Sequence, residues 1–172
     1  VGTEALRTAA NADYFLAQVK QQTGFDLQII SGAEEAMLSA RGVLSVVDPL
    51  PETAIIIDIG GGSTEVVLTK RHKVIFRHSC PLGVVRLAEM QPRSSVSKYV
   101  DANLRELSAL LMSQNLLQLV TRHDASLVGT AGTITTLAAL DLEMTTYDWR
   151  RVNNHRMPVQ RLSEIERQLA AL

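Results

Sequence analysis

The stretch Ala54 to Glu65, AIIIDIGGGSTE, decides the reading of this chain. Its aliphatic run has the composition of a strand buried on both faces, expected at the centre of a sheet covered by helices. The run reaches Asp58, and past Ile59 come Gly60, Gly61 and Gly62, then Ser63 and Thr64. Consecutive glycines let a backbone turn through positive φ and present unobstructed N–H groups to an anion, while the two hydroxyls add donors. A phosphate suits such a loop. Asp58 would repel that phosphate unless a cation lay between them, so an acid at the strand end points to a divalent metal, Mg²⁺ with several waters retained. A glycine-rich hairpin turn is the competing reading of the three glycines alone; the upstream Asp and the downstream Ser-Thr-Glu favour phosphate.

Composition sets the background. The chain has 172 residues, a formal net charge of -1 and 46% hydrophobic residues, which fits one soluble globular domain with a proper core. Without a basic excess, neither nucleic acid nor a membrane surface is an expected partner. Apolar stretches are too short to span a bilayer and the N-terminus does not read as a signal peptide, so a cytoplasmic address is expected. Cys80 is the single cysteine, which excludes an internal disulfide and leaves it as a packed apolar residue; no zinc-ligand spacing occurs. The chain opens without Met directly onto Gly-Thr-Glu-Ala-Leu-Arg, as a piece of a longer protein would.

Helical and strand patterns alternate along the chain. Asn11 caps a predicted helix to about Thr23, with Phe15, Leu16 and Val19 on its apolar side and Gly24 as its stop. Leu27 to Ile30 reads as a short strand, and Ser31-Gly32 opens a helix to about Val47, closed by Asp48-Pro49. After the central strand, Val66 to Thr69 and Val74 to Ser79 form a predicted hairpin about a polar tip at Lys70 to Lys73. A short helix is predicted over Val84 to Met90, and a longer one from Ser94 or Ser95 with Val100, Leu104, Leu107 and Leu111 at helical spacing. Ser126 to Val128 reads as a strand leading into Gly129-Thr130-Ala131-Gly132-Thr133, with a helix over Ile134 to Leu140 behind it. The segment from Pro158 reads as a further amphipathic helix.

Two glycine-bearing segments thus follow strands and face one site in this reading. The second, Gly129, Thr130, Gly132 and Thr133, is either a packing turn or a loop whose following helix N-terminus attracts phosphate or a nucleotide. No G-x-x-x-x-G-K-S/T and no G-x-G-x-x-G occurs, which disfavours P-loop and Rossmann binding. Glu34 and Glu35 lie in the first turn of the helix opened by Ser31-Gly32; neighbouring helical residues point about 100° apart, so one of them faces a shared cleft. A carboxylate there can orient or deprotonate a water attacking a phosphoanhydride. Arg7 offers a bidentate phosphate clamp, or is simply an arginine paired to a neighbouring acid.

Taken in order, G-T-E-A-L-R at Gly2 to Arg7, I-S-G-A-E-E-A at Ile30 to Ala36, D-I-G-G-G-S-T-E at Asp58 to Glu65, P-L-G-V-V-R-L at Pro81 to Leu87 and G-T-A-G-T at Gly129 to Thr133 resemble the exopolyphosphatase/guanosine pentaphosphate phosphohydrolase (Ppx/GppA) family. The resemblance covers nearly the whole chain. It implies an α/β fold of the ribonuclease H-like, actin-like ATPase kind: a mixed central sheet flanked by helices, with three antiparallel strands followed by parallel ones. By motif it places the catalytic base on Glu35 and leaves Glu34 as the charge at the helix start. Asp58 and Glu65 then bind or organise Mg²⁺ and the nucleophilic water, Gly60 to Thr64 form a phosphate loop, and Arg7 holds substrate phosphates. Gly129 to Thr133 match a nucleotide-binding segment of the superfamily's ATPases. Cys80 stands where an aliphatic residue is more usual, a change that suits packing.

The resemblance also implies absences. The family's first phosphate loop, of the D-x-G-S-N-S type, belongs to a preceding domain not in this chain, and the stretch that completes the second domain is also missing. The chain then supplies most of the second domain and one wall of a site for polyphosphate or guanosine pentaphosphate, with the missing N-terminal domain as its partner; alone it is expected to be nearly inactive. A homodimer is left open. Other classes are an ATP-dependent kinase or ATPase of the same superfamily, and a non-catalytic sensor of guanosine polyphosphates. Retention of Glu35, Asp58 and Glu65 together argues against the sensor, because a binder of anions gains nothing from three acids.

Overall fold

The computed structural model describes residues 1–121 and 125–171. Strands Thr53–Ile59 (β1), Thr64–Lys70 (β2), Lys73–Cys80 (β3) and Ser126–Thr130 (β4) form one sheet in the order β3-β2-β1-β4. β1 and β3 are antiparallel to β2, whereas β4 runs parallel to β1. The mixed α/β sheet flanked by helices is therefore as expected. Helices Glu4–Thr8 (α1), Ala12–Thr23 (α2) and Gly32–Leu44 (α3) precede it; Val84–Glu89 (α4), Val96–Ser113 (α5) and Leu117–Thr121 (α6) connect β3 to β4; Ala131–Asp141 (α7), Trp149–Val152 (α8) and Val159–Ala170 (α9) follow.

Side-chain alternation along β1 divides the core in two. Ala54 and Ile56 point toward α3, where they pack with Ala36, Ala40, Val43 and Val67. On the other face Ile55 joins Leu68, Phe76, Leu107 and Leu111, the last two from α5 at the predicted helical spacing. Coverage of that second face is incomplete, contrary to a strand fully buried on both sides: Ile55, Ile57 and Ile59 are half-buried and line an apolar cavity of about 460 Å³. Cys80 is buried beside it, and burial pushes its thiol up to about 11, as befits a packed apolar residue.

Local chemistry explains most boundaries. Gly24 ends α2 at φ 76°, a left-handed conformation that glycine adopts freely, and its N–H bonds Lys20 O. Arg71 and His72 close the β2–β3 hairpin at φ 49° and 64°, the pair of left-handed residues that a two-residue turn requires.

Two further expectations are corrected. Leu27 to Ile30 is not a strand: only Ile29 bridges, to Gly2, because the partner segment turns into α1 two residues later and the ladder ends there. The helix expected after Asn11 is α2, on whose apolar side Leu16 and Val19 are half-buried and Phe15 is exposed. The segment after Val128 is not an open loop either. Gly129 and Thr130 complete β4, Gly132 and Thr133 already belong to the first turn of α7, and the reversal is compressed into Ala131 at φ 66°.

Candidate functional site

The acids meet at the carboxyl end of β1. Asp58 and Glu65 are direct partners in the β1–β2 register, so their side chains leave the same face of the sheet with Cβ atoms about 5 Å apart. That face is the one covered by α3. Gly32, the first residue of α3, lies so close to Ser79 of β3 that a Cβ would stand 2.7 Å from the serine Cβ; glycine is what allows the helix start to settle there. One turn into α3, Glu35 and Ser39 share a side at i and i+4, and Ser39 Oγ donates to the Asp58 carboxylate.

The two glutamates separate as their 100° offset requires. Glu34 closes a capping box: its backbone N–H bonds Ser31 Oγ at 3.2 Å while its carboxylate accepts from the Ser31 N–H at 2.8 Å. These Ser31 bonds hold the Glu34 carboxyl below the usual range. Glu35 instead turns inward and accepts from Arg7 Nη1 at 2.9 Å. Arg7 Nη1 also bonds Ile30 O at 2.8 Å, and the Gly2–Ile29 bridge holds the two segments side by side. The pairing reading of Arg7 is thus the arrangement seen, yet only Nη1 is used; Nε and Nη2 have no partner among the described residues.

Glu65 is the most buried of the acids, 2% exposed. Its Oε1 accepts from Ser63 Oγ and Ser79 Oγ, both at 2.7 Å. Burial pushes the Glu65 carboxyl up, the Ser79 and Ser63 hydroxyls pull it back in part, and the negative charges of Glu35 and Asp58 raise it further.

The glycine run is a hairpin connection between β1 and β2, so the turn reading holds for its backbone path. Its details differ from the expectation. Among the described glycines only Gly24 has positive φ, so the loop does not need glycine for that reason. It needs close approach: a Cβ on Gly62 would overlap the Glu4 carboxylate, and one on Gly83 would overlap the backbone of Gly61 and Gly62. The hydroxyls are also not offered to a ligand, since Ser63 is bound to Glu65 and Thr64 Oγ1 donates to Leu82 O. The backbone supplies the donors instead. Gly60 N bonds Ser63 O at 3.0 Å, whereas the N–H groups of Gly61, Gly62 and Ser63 have no partner among the described residues.

The second glycine-bearing segment adjoins this loop. Thr130 pairs with Asp58 in the β1–β4 register and Thr133 Oγ1 donates to Ile59 O at 3.3 Å. Packing accounts for Gly129, whose Cβ would meet Ile134 at 2.6 Å, but not for Gly132, which faces open space.

The residues fit Mg²⁺ in one specific sense. Among the described residues no group of three or more His, Cys, Asp or Glu converges as a cage. Two facing carboxylates suit an ion that keeps several waters and takes its other oxygens from substrate phosphates.

A model of the Ppx/GppA phosphatase family matches residues 1–171. The chain belongs to the Ppx/GppA phosphatase family. It is 34% identical to exopolyphosphatase 2 of Mycobacterium tuberculosis over 178 aligned residues, covering 100% of this chain and 56% of the relative. It is 28% identical to the guanosine-5'-triphosphate,3'-diphosphate pyrophosphatase of Photobacterium profundum, covering 96% of this chain and 35% of that protein. The crystal structure of the Aquifex aeolicus Ppx/GppA family member superposes with a TM-score of 0.72 at 30% identity, covering 99% of this chain and 54% of that one. The chain thus spans about half the length of the exopolyphosphatase it matches. Within this Ppx/GppA chain, sequence reasoning missed Ser39 and Ser79, which bond the Asp58 and Glu65 carboxylates, and Glu4, which stands against Gly62. Ser39 carried a usable signal, four residues after Glu35 on the same helix face.

Proposed function

We propose that this chain forms one wall of a phosphohydrolase site that removes the terminal phosphate of inorganic polyphosphate or guanosine pentaphosphate, the other wall coming from a preceding domain with the family's first phosphate loop. One observation carries this reading: Asp58 and Glu65 face each other across the hairpin that the glycine loop closes, Glu35 stands on the side of α3 whose Ser39 bonds Asp58, and the N–H groups of Gly61, Gly62 and Ser63 have no partner among the described residues. A pure anion binder would not place acids there, whereas water attack on a phosphoanhydride needs a base and anion donors together.

In this mechanism Glu35 takes a proton from the attacking water. The N–H groups of Gly61, Gly62 and Ser63 bind equatorial phosphoryl oxygens, and Arg7 adds Nε and Nη2 while Nη1 keeps Glu35 in place. Ser39 and Ser79 fix the rotamers of Asp58 and Glu65, the residues that would hold Mg²⁺. When bound there, Mg²⁺ supplies charge neutralisation at the phosphates. Gly132 and Thr133, at the start of α7, border the space where the rest of the substrate lies.

Full-length protein offered polyphosphate and guanosine pentaphosphate, with and without Mg²⁺, tests the reading. Metal-dependent phosphate release from at least one of them is the expected result, with this chain alone nearly inactive. Tight ATP binding with transfer to an acceptor would replace it by a kinase, and binding of guanosine tetraphosphate without any turnover by a sensor. No helix among the described residues is long and apolar enough to cross a membrane; a cytoplasmic location is part of the proposal.

A further inference from the structure

The stretch Val84 to Arg86 has so far been given no chemical role, yet each of its residues bonds the glycine loop. Val84 N donates to Gly60 O at 3.0 Å, and Val85 N and Arg86 N donate to Gly61 O at 2.9 and 3.1 Å. The third carbonyl is taken by a side chain: Arg86 Nε donates to Gly62 O at 2.9 Å. The same guanidinium bonds Glu4 through Nη2, and Glu4 in turn occupies the space beside Gly62 that a Cβ would fill. Three consecutive loop carbonyls therefore face α4 and Arg86.

A trans peptide holds its C=O and the following N–H on opposite sides. Turning the carbonyls of Gly60, Gly61 and Gly62 toward α4 forces the N–H groups of Gly61, Gly62 and Ser63 the other way, which matches the absence of any partner for these three donors among the described residues. The first two peptide planes are set by backbone N–H groups of α4. The carbonyl of the last, between Gly62 and Ser63, has Arg86 as its one partner among the described residues.

We propose that Arg86, fixed by Glu4, is a positioning residue that orients the Gly62–Ser63 peptide and so completes a three-donor cradle for a terminal phosphoryl group. This rests on the phosphohydrolase reading above. The guanidinium fork is what the geometry requires, because Nε and Nη2 must hold Gly62 O and Glu4 at once; an ammonium has the charge without the fork.

The test uses full-length protein with isotope-labelled glycine and serine, tripolyphosphate as probe, and the variants Arg86→Ala, Arg86→Lys and Glu4→Gln. In the unsubstituted protein the amide resonances of Gly61, Gly62 and Ser63 shift on adding tripolyphosphate. In Arg86→Ala the Ser63 response is lost while those of Gly61 and Gly62 remain, and kcat/KM falls by roughly 10- to 100-fold, the loss of one hydrogen bond to a charged group. Arg86→Lys recovers only part of this, and Glu4→Gln falls between. A wild-type Ser63 response in Arg86→Ala overturns the proposal, as does equal loss of all three responses, which marks general damage to the loop. Full recovery by lysine also overturns it, because charge alone then suffices. The two readings fail separately: turnover without amide shifts removes the cradle, and amide shifts without turnover remove the hydrolase.

Discussion

Arg7 Nη1 lies 2.9 Å from Glu35 Oε2, and the same nitrogen bonds the carbonyl of Ile30, one residue before the helix cap that starts α3. A single guanidinium thus fixes the proposed base and the entry of its own helix, while Nε and Nη2 have no partner among the described residues. Arg7→Lys keeps the charge but not the fork. The expected outcome is a kcat/KM loss of about 10- to 100-fold in full-length protein, split between kcat and KM because both Glu35 and the phosphate lose a contact. Activity within threefold of the unsubstituted enzyme would remove Arg7 from the site.

The capping box assigns the two glutamates different work. Glu35→Ala should lower kcat by about 10² to 10⁴, the usual cost of losing a general base, with little change in melting. Glu34→Ala loosens the start of α3 and leaves kcat within a few-fold. Paired activity and melting measurements on the two variants check this; equal activities would show that the base is misassigned.

Ala131 turns β4 into α7 at φ 66°, a conformation that costs an L-residue with a Cβ about 1–2 kcal/mol and glycine little. Ala131→Gly should therefore stabilise the protein by up to about 1 kcal/mol once the extra entropy of unfolded glycine is subtracted. Urea titration gives the answer, and a lower midpoint at unchanged slope would contradict it.

Asp141, at the end of α7, accepts from Arg161 Nε of α9 at 2.7 Å and lies 2.7 Å from His155 Nε2. The bond from Arg161, then that from His155, holds its carboxyl below the usual range. A carboxyl lowered on folding binds fewer protons in the native than in the unfolded state, so its stabilisation is present above the unfolded pKa of about 3.9 and is lost as pH falls through the native one. Asp141→Asn should thus lower Tm at pH 7, and the gap should close as the pH falls below about 4. A gap that stays constant across this range would mean that the contact does not titrate.

Much of this was legible in the residues. The aliphatic run before Asp58 placed β1 inside the sheet, whereas the role of Glu65 came from the family resemblance alone, and the hairpin register is what shows both acids on one face. Ser31-Gly32 announced the helix start that carries both glutamates, but the choice of Glu35 as the inward one came from the family motif, and the capping box made by Glu34 is what the structure adds. Peptide orientation was not legible. Three glycines announce a permissive loop, but which way its N–H groups point is decided by α4 and Arg86, more than twenty residues downstream. Hydroxyl partners were hidden for a similar reason: Ser63 and Thr64 are near any ligand in sequence, and tertiary contacts to Glu65 and Leu82 claim them first. Leu27 to Ile30 had the composition of a strand but only one residue of partner to pair with.

The central claim is that water, activated at Glu35, attacks the terminal phosphorus above this glycine loop. Hydrolysis of tripolyphosphate by the full-length enzyme in heavy-oxygen water, followed by mass analysis of the products, tests it most directly. The account predicts one solvent oxygen in each released orthophosphate and none in the shortened chain, with the label-forming reaction abolished by Glu35→Gln. Solvent oxygen in the shortened chain, or undiminished labelling in Glu35→Gln, would contradict it.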